Sequence, residues 1–232
     1  MLETRSEHVS RVLHDSGARA WERATGHPMV RAIADGSLPH ATFRGYFEQN
    51  VLYLQDYARA IAIIVAKAPD REGIATLTRF LDQIVRNEIP ANLTFLDRLG
   101  GDRAALGGEE SMRPTTYAYT RHLLATCAQG DCAAGLTAVL PCQWSYGELA
   151  RPLMAHPPED PIYADWIAMF GNDEYDGLVE DSTALLDRVA DVDDAAQMAT
   201  LATIFERSTQ YEVAFWDMAY GAPSWGEPRP ER

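Results

Sequence analysis

Apolar residues recur at steps of three and four along most of the chain, with polar residues at the positions between them. This spacing is typical of amphipathic helices, and no stretch shows the alternation of half-buried strands joined by hairpin turns. The pattern therefore predicts an all-α fold. Because no repeat, linker or low-complexity segment interrupts it, the pattern also predicts a single helical domain over residues 1–232.

Proline, glycine and acidic residues mark where each helix begins or ends. They predict helices over residues 3–23, 28–35, 39–68, 71–99, 114–128 and 193–220, a helix that contains segment 140–148 and ends near residue 156, and a helix over 161–190 that is interrupted at 171–172. Pro90 predicts a kink in the fourth helix. The tail from about residue 221 is predicted to be poorly ordered.

The third predicted helix carries an apolar stripe with one polar gap, which is filled by Asn50. The stripe consists of Phe43, Tyr46, Phe47, Tyr53, Leu54 and Tyr57. A buried amide without a partner costs on the order of 1–3 kcal/mol, so Asn50 needs an internal partner or a ligand. A satisfied core amide and a ligand-binding amide both fit this helix.

The last predicted helix repeats this pattern with a carboxylate, Glu212, in the centre of the stripe. The stripe consists of Phe205, Ser208, Phe215, Trp216 and Ala219. Burial would raise the pKa of Glu212 into the range useful for proton transfer. The alternative role for this residue is a structural salt bridge.

The segment LPCQWSYGE places Pro141 inside a predicted helix, where it frees a carbonyl one turn back and can bend the helix. The four-residue step from Cys142 to Tyr146 puts a thiol and a phenol on one helix face. Taken alone, Cys142 is more simply a small buried hydrophobe, since free cysteine packs well in cores.

A thiol, a carboxylate and an amide on inward faces of different helices could together line a pocket for a flat polar ring. Cys142, Glu212 and Asn50 are the three polar candidates for this pocket. Further candidates for its lining are Tyr119, Tyr163, Trp166 and Phe170.

The formal net charge of -14 argues against binding to nucleic acid or to an anionic membrane, because both need clustered Lys and Arg. No segment approaches the roughly 20 apolar residues of a membrane span, and the N-terminus lacks a signal-peptide pattern, which predicts a cytoplasmic protein. Three cysteines, Cys127, Cys132 and Cys142, are too few for a disulfide framework and are predicted to be reduced.

Motifs for cofactors and metals are missing from the sequence. The glycine-rich dinucleotide and nucleotide motifs are absent, and Cys127 and Cys132 have no second Cys or His pair at zinc spacing. A di-iron Glu-x-x-His motif that began at Glu88 would need a histidine where Ala91 stands. We therefore predict no cofactor and no metal.

Four segments of the chain resemble the TenA family, also called thiaminase II or aminopyrimidine aminohydrolase. The segments are FEQNVLYLQDYARA, LPCQWSYGE, PIYADWI and STQYEVAFWDMAY, and they follow one another in the order and at the spacing of the family. The resemblance spans nearly the whole chain. It implies a heme-oxygenase-like helical bundle without heme that assembles as a homotetramer.

The resemblance also implies a hydrolase with a small-molecule substrate. Family members act at the methylene on C5 of a 4-amino-2-methylpyrimidine, in thiamine or in 5-aminomethyl-4-amino-2-methylpyrimidine, and release 4-amino-5-hydroxymethyl-2-methylpyrimidine in thiamine salvage. In the family mechanism a cysteine adds to the ring, the amine or thiazole leaves, water adds to the methylene, and the cysteine is expelled.

Individual residues carry this resemblance. Cys142 matches the family nucleophile, and Glu212 matches the glutamate that handles protons. Tyr146 and Tyr119 match tyrosines of the family site, and Tyr53 matches an aromatic position that stacks on the ring. A catalytic thiol of this kind is expected to have a lowered pKa and to be alkylated faster than the other two cysteines.

Two residues depart from the family pattern. Asn50 follows Gln49 where the family has an aspartate, so this side chain cannot oppose the charge of a protonated pyrimidine. Asp56 lies six residues on and is not that aspartate. Phe170 replaces a tyrosine and removes a hydroxyl. We expect these changes to weaken turnover of aminopyrimidines or to change the ring that is accepted.

Three interpretations follow from the sequence. The first is an aminopyrimidine hydrolase with Cys142 as nucleophile and Glu212 as acid and base. The second, supported by Asn50 and Phe170, is a TenA-like enzyme that acts on a different heterocyclic or amine substrate. The third is a non-catalytic binding or regulatory bundle that holds a small ligand and uses its acidic surface for a protein partner.

Overall fold

The computed structural model describes residues 8–221, and it contains helices and no strand within that range. The helices in chain order are α1 (Val9–Ser16), α2 (Ala18–Thr25), α3 (Pro28–Ala34), α4 (His40–Val65), α5 (Arg71–Gln83), α6 (Ile89–Arg98), α7 (Pro114–Gln129), α8 (Cys132–Leu153), α9 (Pro161–Phe170), α10 (Asp173–Val189) and α11 (Ala195–Tyr220). The all-α prediction is confirmed. The predicted helical residues 3–7 and the predicted disordered tail beyond residue 221 lie outside the described residues.

Five of the helices begin after an Asp or Asn whose side chain accepts a hydrogen bond from a backbone N–H of the first turn, which satisfies a donor that the helix itself leaves free. These residues are Asp70, Asp131, Asp160, Asn172 and Asp194. Proline opens α3, α7 and α9, where the missing N–H costs nothing. These local signals explain why most predicted boundaries agree with the structure within a few residues.

The first predicted helix, 3–23, is wrong as a single helix. In the described part of that range α1 ends before Gly17 and α2 begins after it. A Cβ atom at Gly17 would lie 3.3 Å from the ring of Phe205 on α11. The chain therefore turns at a residue where a side chain would crowd Phe205, a long-range contact that the local pattern does not reveal.

The irregularity expected at Pro90 is a π-helical turn, Ile84–Glu88, which joins α5 to α6. The N–H of Ile89 donates to the carbonyl of Ile84, five residues earlier. In a regular helix the ring of Pro90 would clash with the carbonyl four residues before it, and a wider turn relieves this clash. The turn lies against the centre of the bundle, and Glu88 is buried there.

Helices α4, α8 and α11 form the centre of the bundle and pack against one another. A Cβ atom at Gly135 of α8 would lie 2.8 Å from Ile64 of α4, so the glycine allows these two helices to approach closely. Helix α8 continues through Pro141. None of the described helices is long and apolar enough to cross a membrane.

The side chain of Gln49 on α4 fixes the start of α7. Its Nε2 donates to the carbonyl of Ser111 at 3.1 Å, and its Oε1 accepts from the N–H of Arg113 and from the hydroxyl of Thr116, both at 2.8 Å. Gln49 is buried. It therefore connects two helices that carry candidate site residues.

We predict that Gln49→Leu lowers the free energy of unfolding by roughly 1–3 kcal/mol, because one buried and two partly buried polar groups lose their partner. Urea denaturation followed by circular dichroism measures this change. Gln55→Leu, at an exposed position of the same helix, is the matched control and should change the free energy by less than about 0.5 kcal/mol. Equal losses in both variants would contradict the role of Gln49.

Candidate active site

Helices α7, α8 and α11 bring Tyr119, Cys142 and Glu212 together in the interior. The hydroxyl of Tyr119 donates to Oε1 of Glu212 at 2.5 Å. Burial raises the pKa of Glu212 to about 7, although hydrogen bonds from Tyr119 and Cys142 oppose this rise. Burial is the largest cause of this shift, and no cation contributes to it. The structural salt bridge considered for Glu212 is therefore absent among the described residues. Near neutral pH the carboxyl can both accept and donate a proton.

Cys142 remains partly accessible although its neighbours are enclosed. Tyr53, Tyr57 and Glu212 around it are each at most 3% exposed. The thiol and these three side chains together bound an interior region, the enclosed site. This position differs from that of a fully packed core cysteine.

The pKa of the Cys142 thiol is raised well above its ordinary value, so the lowered pKa expected from the sequence is wrong for this structure. Burial is the main cause, and the negative charges of Glu212 and Glu88 add to it, whereas hydrogen bonds with Tyr53 and Tyr57 oppose it. In the empty site the thiol is protonated at neutral pH. It needs a base to become a nucleophile.

The other two cysteines are also protonated at neutral pH. Burial raises the pKa of Cys127 to about 12 and that of Cys132 to about 11. Both side chains are buried, whereas Cys142 is partly accessible. The greater accessibility of Cys142, and not a lower thiol pKa, therefore distinguishes it from the other two cysteines.

The ring of Tyr53 packs against those of Tyr57, Tyr119 and Phe215, at centroid distances of 5.3, 5.0 and 5.6 Å. Its hydroxyl is buried and has no hydrogen-bond partner in a fixed geometry among the described residues. Tyr57, in contrast, uses its hydroxyl proton on the carbonyl of Val139, at 2.8 Å. The free O–H of Tyr53 is therefore available to stabilise a thiolate on Cys142.

Tyr146 and Phe170 belong to an aromatic cluster beside the thiol. The hydroxyl of Tyr146 lies 3.0 Å from that of Tyr46, and Phe170 meets the Tyr146 ring edge-on at 4.9 Å. Tyr175 meets Phe170 at 5.2 Å and donates to the Gln143 carbonyl at 3.1 Å. The sequence analysis did not predict Tyr46 or Tyr175 as site residues.

Tyr163 and Trp166, the other two residues predicted to line the pocket, contact groups other than the thiol. Tyr163 donates its hydroxyl to the carbonyl of Leu38, which ties α9 to the segment before α4. Trp166 is fully buried in the aromatic cluster, 5.9 Å from Tyr146 and 5.4 Å from Phe170. Tyr163 is therefore a packing residue, and Trp166 supports the rings that stand nearer the thiol.

Asn50 is buried and forms a pair with another amide. Its Nδ2 donates to Oδ1 of Asn92 at 2.8 Å, and Nδ2 of Asn92 donates to the carbonyl of Glu88 at 2.8 Å. A carbonyl only accepts, so this chain of bonds fixes the orientation of both amides. Oδ1 of Asn50 is then the atom left to accept a bond from a ligand. Asp56 is instead paired with Arg59 and Arg121.

Glu88 is a further residue of the site that the sequence analysis did not predict, because it considered Glu88 only as a ligand of a di-iron site. It is 6% exposed, and burial together with the charge of Glu212 raises its pKa to about 8. Its stripe could have revealed it, since apolar or buried residues recur around it at steps of three and four. These positions are Leu77, Phe80, Ile84, Glu88, Asn92 and Phe95. No group of three metal-ligating side chains occurs in the described part of the chain.

The enclosed site is separate from the wide surface groove of the molecule. That groove has a volume of about 640 Å³ and lies between α1, α8 and α10, where it is lined by residues that include His14, Trp144, Glu148 and Asp187. None of the residues predicted for the site lines this groove. The chemistry of the thiol and the carboxyls therefore belongs to the interior of the bundle.

A helical bundle that encloses a thiol, two carboxyls and several phenols has the groups needed for nucleophilic and acid–base chemistry on a small molecule. Residues 14–222 match the TENA/THI-4/PQQC family, and the chain belongs to this family. The resemblance to TenA proteins found in the sequence is confirmed.

Individual relatives agree with this assignment. The aminopyrimidine aminohydrolase of Halalkalibacterium halodurans is 34% identical over 217 residues, which cover 92% of this chain and 96% of that protein. A solved structure described as a TenA family transcription regulator, from a Silicibacter species, has a TM-score of 0.85 at 26% identity and covers 96% of this chain and 100% of that chain.

A heme oxygenase-like domain from Shewanella denitrificans, which is 14% identical with a TM-score of 0.69, shows the fold alone. The alignment covers 90% of this chain and 91% of that domain. The expected heme-oxygenase-like bundle is thereby confirmed.

We predict that alkylation of Cys142 by iodoacetamide accelerates throughout the range from pH 7 to pH 9 without reaching a plateau, because the pKa of the thiol is raised. The negative charge of Glu212 raises the thiol pKa more than that of Glu88 does. Glu212→Gln removes this charge, so alkylation at pH 8 should become several-fold faster. Peptide mass spectrometry measures both rates.

Glu206→Gln, at an exposed position of the same helix, is the control for this experiment and should leave the rate unchanged. A plateau below pH 8 in the wild-type protein, or slower alkylation of Glu212→Gln, would show that the charges around the thiol are misassigned.

Proposed function

We propose that this chain is an aminopyrimidine aminohydrolase of thiamine salvage, with Cys142 as nucleophile and Glu212 as acid and base. The observation that carries the proposal is the buried carboxyl of Glu212, held by Tyr119 at 2.5 Å and hydrogen-bonded with Cys142. The relative from Halalkalibacterium halodurans, with its 34% identity over nearly the full length of both chains, supports the substrate class.

The proposed reaction converts 5-aminomethyl-4-amino-2-methylpyrimidine and water into 4-amino-5-hydroxymethyl-2-methylpyrimidine and ammonia. Glu212 takes the proton of the Cys142 thiol while Sγ adds to a ring carbon. The substrate amine is protonated, so it departs as neutral ammonia while Glu212 keeps the proton of the thiol and later returns it to Cys142. Water then adds to the exocyclic methylene, and Cys142 leaves the ring as its electron pair returns to the thiolate, which recovers a proton.

Two tyrosines assist Cys142 and Glu212 in this mechanism. The Tyr53 hydroxyl lies within hydrogen-bonding reach of both Cys142 and Tyr119, so it can stabilise the thiolate form. Tyr119 fixes the orientation of the Glu212 carboxyl through its short hydrogen bond. Both hydroxyls are preorganised by packing, so they cost little reorganisation during the reaction.

Asn50 recognises the ring in this proposal through Oδ1, which accepts from the exocyclic 4-amino group. One N–H of its Nδ2 donates to Asn92, and the second N–H remains as a donor for a ring nitrogen. Tyr146 and Phe170 line the same space from α8 and α9.

An enzyme for a different heterocyclic or amine substrate is the second candidate, and the Asn50–Asn92 pair favours it. A neutral amide pair selects by hydrogen-bond pattern and not by ring charge, so rings other than aminopyrimidine with a matching amine donor fit as well. The Silicibacter protein is described as a transcription regulator, but a nucleic-acid-binding role for this chain conflicts with its net charge of -14. The homotetramer and the cytoplasmic location stay predictions.

We predict that the wild-type protein releases 4-amino-5-hydroxymethyl-2-methylpyrimidine from the aminomethyl compound or from thiamine, as measured by mass spectrometry. Cys142→Ser should lower turnover at least about 100-fold, because the nucleophile is lost. Cys127→Ser, which changes a buried thiol without a role in the mechanism, is the control and should retain activity. Absence of product from both compounds in a folded protein would overturn the aminopyrimidine assignment and favour the second candidate.

A further inference from the structure

We propose that Glu88 is a substrate-binding residue that faces the same enclosed space as Cys142 and binds the cationic group next to the scissile methylene of the substrate. This inference rests on the proposed function, whose two substrates carry an ammonium or a thiazolium at that place. It adds a charged recognition residue to a site in which Asn50 is neutral.

The carboxylate of Glu88 is a buried group without a partner. It is 6% exposed, and neither a hydrogen bond nor an ion pair from another described residue reaches it. Burying a carboxylate in this way is unfavourable unless a cation or several donors compensate it. Glu88 has neither among the described residues, whereas Asp56, another buried acid, is paired with two arginines. The Glu88 carboxyl therefore keeps its proton near neutral pH and would ionise beside a cation that enters from outside.

The direction of the carboxylate follows from the groups that its charge affects. Negative charge on Glu88 raises the pKa of Cys142 on α8, of Tyr46 and Tyr57 on α4, and of Tyr175 on α10. Glu212 on α11 in turn raises the pKa of Glu88. These effects require short distances through the apolar interior. Together with the burial of Glu88 and the hydrogen bonds that join its turn to Asn50, these effects place Glu88 on the inner face, and every ionisable group named here is an acid.

The backbone connects Glu88 to the ring-binding amide. Asn92 lies one turn after Glu88, donates to its carbonyl and accepts from Asn50. The π-helical turn that ends at Glu88 brings this residue to the inner face. Asn50 and Glu88 thus stand on the same side of the site, so a ring held by Asn50 would present its substituent near the carboxylate.

The charge of the substrate explains why a buried acid is useful here. In the empty protein Glu88 holds a proton at neutral pH, because its pKa is about 8. Binding of an ammonium or thiazolium releases that proton to solvent and leaves a carboxylate paired with the cation. The hydroxymethyl product is neutral at that position, so it loses this ion pair and binds less tightly.

Titration calorimetry at pH 7 tests the inference in full-length Cys142→Ser protein, in which turnover is blocked. The probes are 5-aminomethyl-4-amino-2-methylpyrimidine, which is cationic, and the neutral 4-amino-5-hydroxymethyl-2-methylpyrimidine. Adding Glu88→Gln should weaken binding of the cationic probe at least tenfold and change binding of the neutral probe less than twofold. Proton release, measured from the dependence of the heat on buffer, should accompany the cationic probe and vanish in Glu88→Gln.

The controls separate charge recognition from a structural role. Glu206→Gln, at an exposed position, should change neither affinity. Glu88→Asp keeps the charge and should retain a preference for the cationic probe, which also covers the case that Glu88→Gln fails to fold. Equal weakening of both probes, or unchanged binding of the cationic probe in Glu88→Gln, would overturn the role of Glu88 alone. Failure of Cys142→Ser to bind either probe would overturn the proposed function and this inference with it.

Discussion

Two carboxyl groups and a thiol share an apolar interior in which no cation of the described chain stands beside them. Burial is the first cause of the raised pKa of Glu88, of Glu212 and of Cys142, and each negative charge raises the pKa of its neighbours further. Only one or two of these protons can leave without great cost. The site therefore holds protons near neutral pH and can pass them on, which is what addition of a thiol and departure of an amine require.

This constraint also affects stability. The pKa of both glutamates is higher in the folded protein than in the unfolded chain, so folding retains protons that the unfolded chain would release. The free energy that these groups contribute is complete below the unfolded pKa and is lost as the pH rises through about 7 and 8. The bundle tolerates this cost because α4, α8 and α11 pack around the site with large aromatic side chains.

The sequence was informative wherever a polar residue interrupted a regular apolar stripe. Asn50 and Glu212 were found in this way, and both are buried in the structure. Glu88 interrupts a stripe in the same manner. Pro90 predicts a kink close to this residue, but the local pattern does not reveal that a π-helical turn places Glu88 on the inner face. The break at Gly17 and the pairing of Asn50 with Asn92 depend on residues far apart in the chain, so no local pattern contains them. The predicted direction of the thiol pKa was wrong for the same reason, because both its burial, the main cause of the rise, and the carboxyls on other helices depend on the packing of the bundle.

Infrared titration of the protonated carboxyl band tests the central claim, two protonated glutamates in the interior, most directly. The wild-type protein should keep this band above pH 6, and it should fade between about pH 6 and pH 9. Glu88→Gln and Glu212→Gln should each remove one part of the band. A band that disappears below pH 5 in the wild-type protein, or that is unchanged in both variants, would contradict the account.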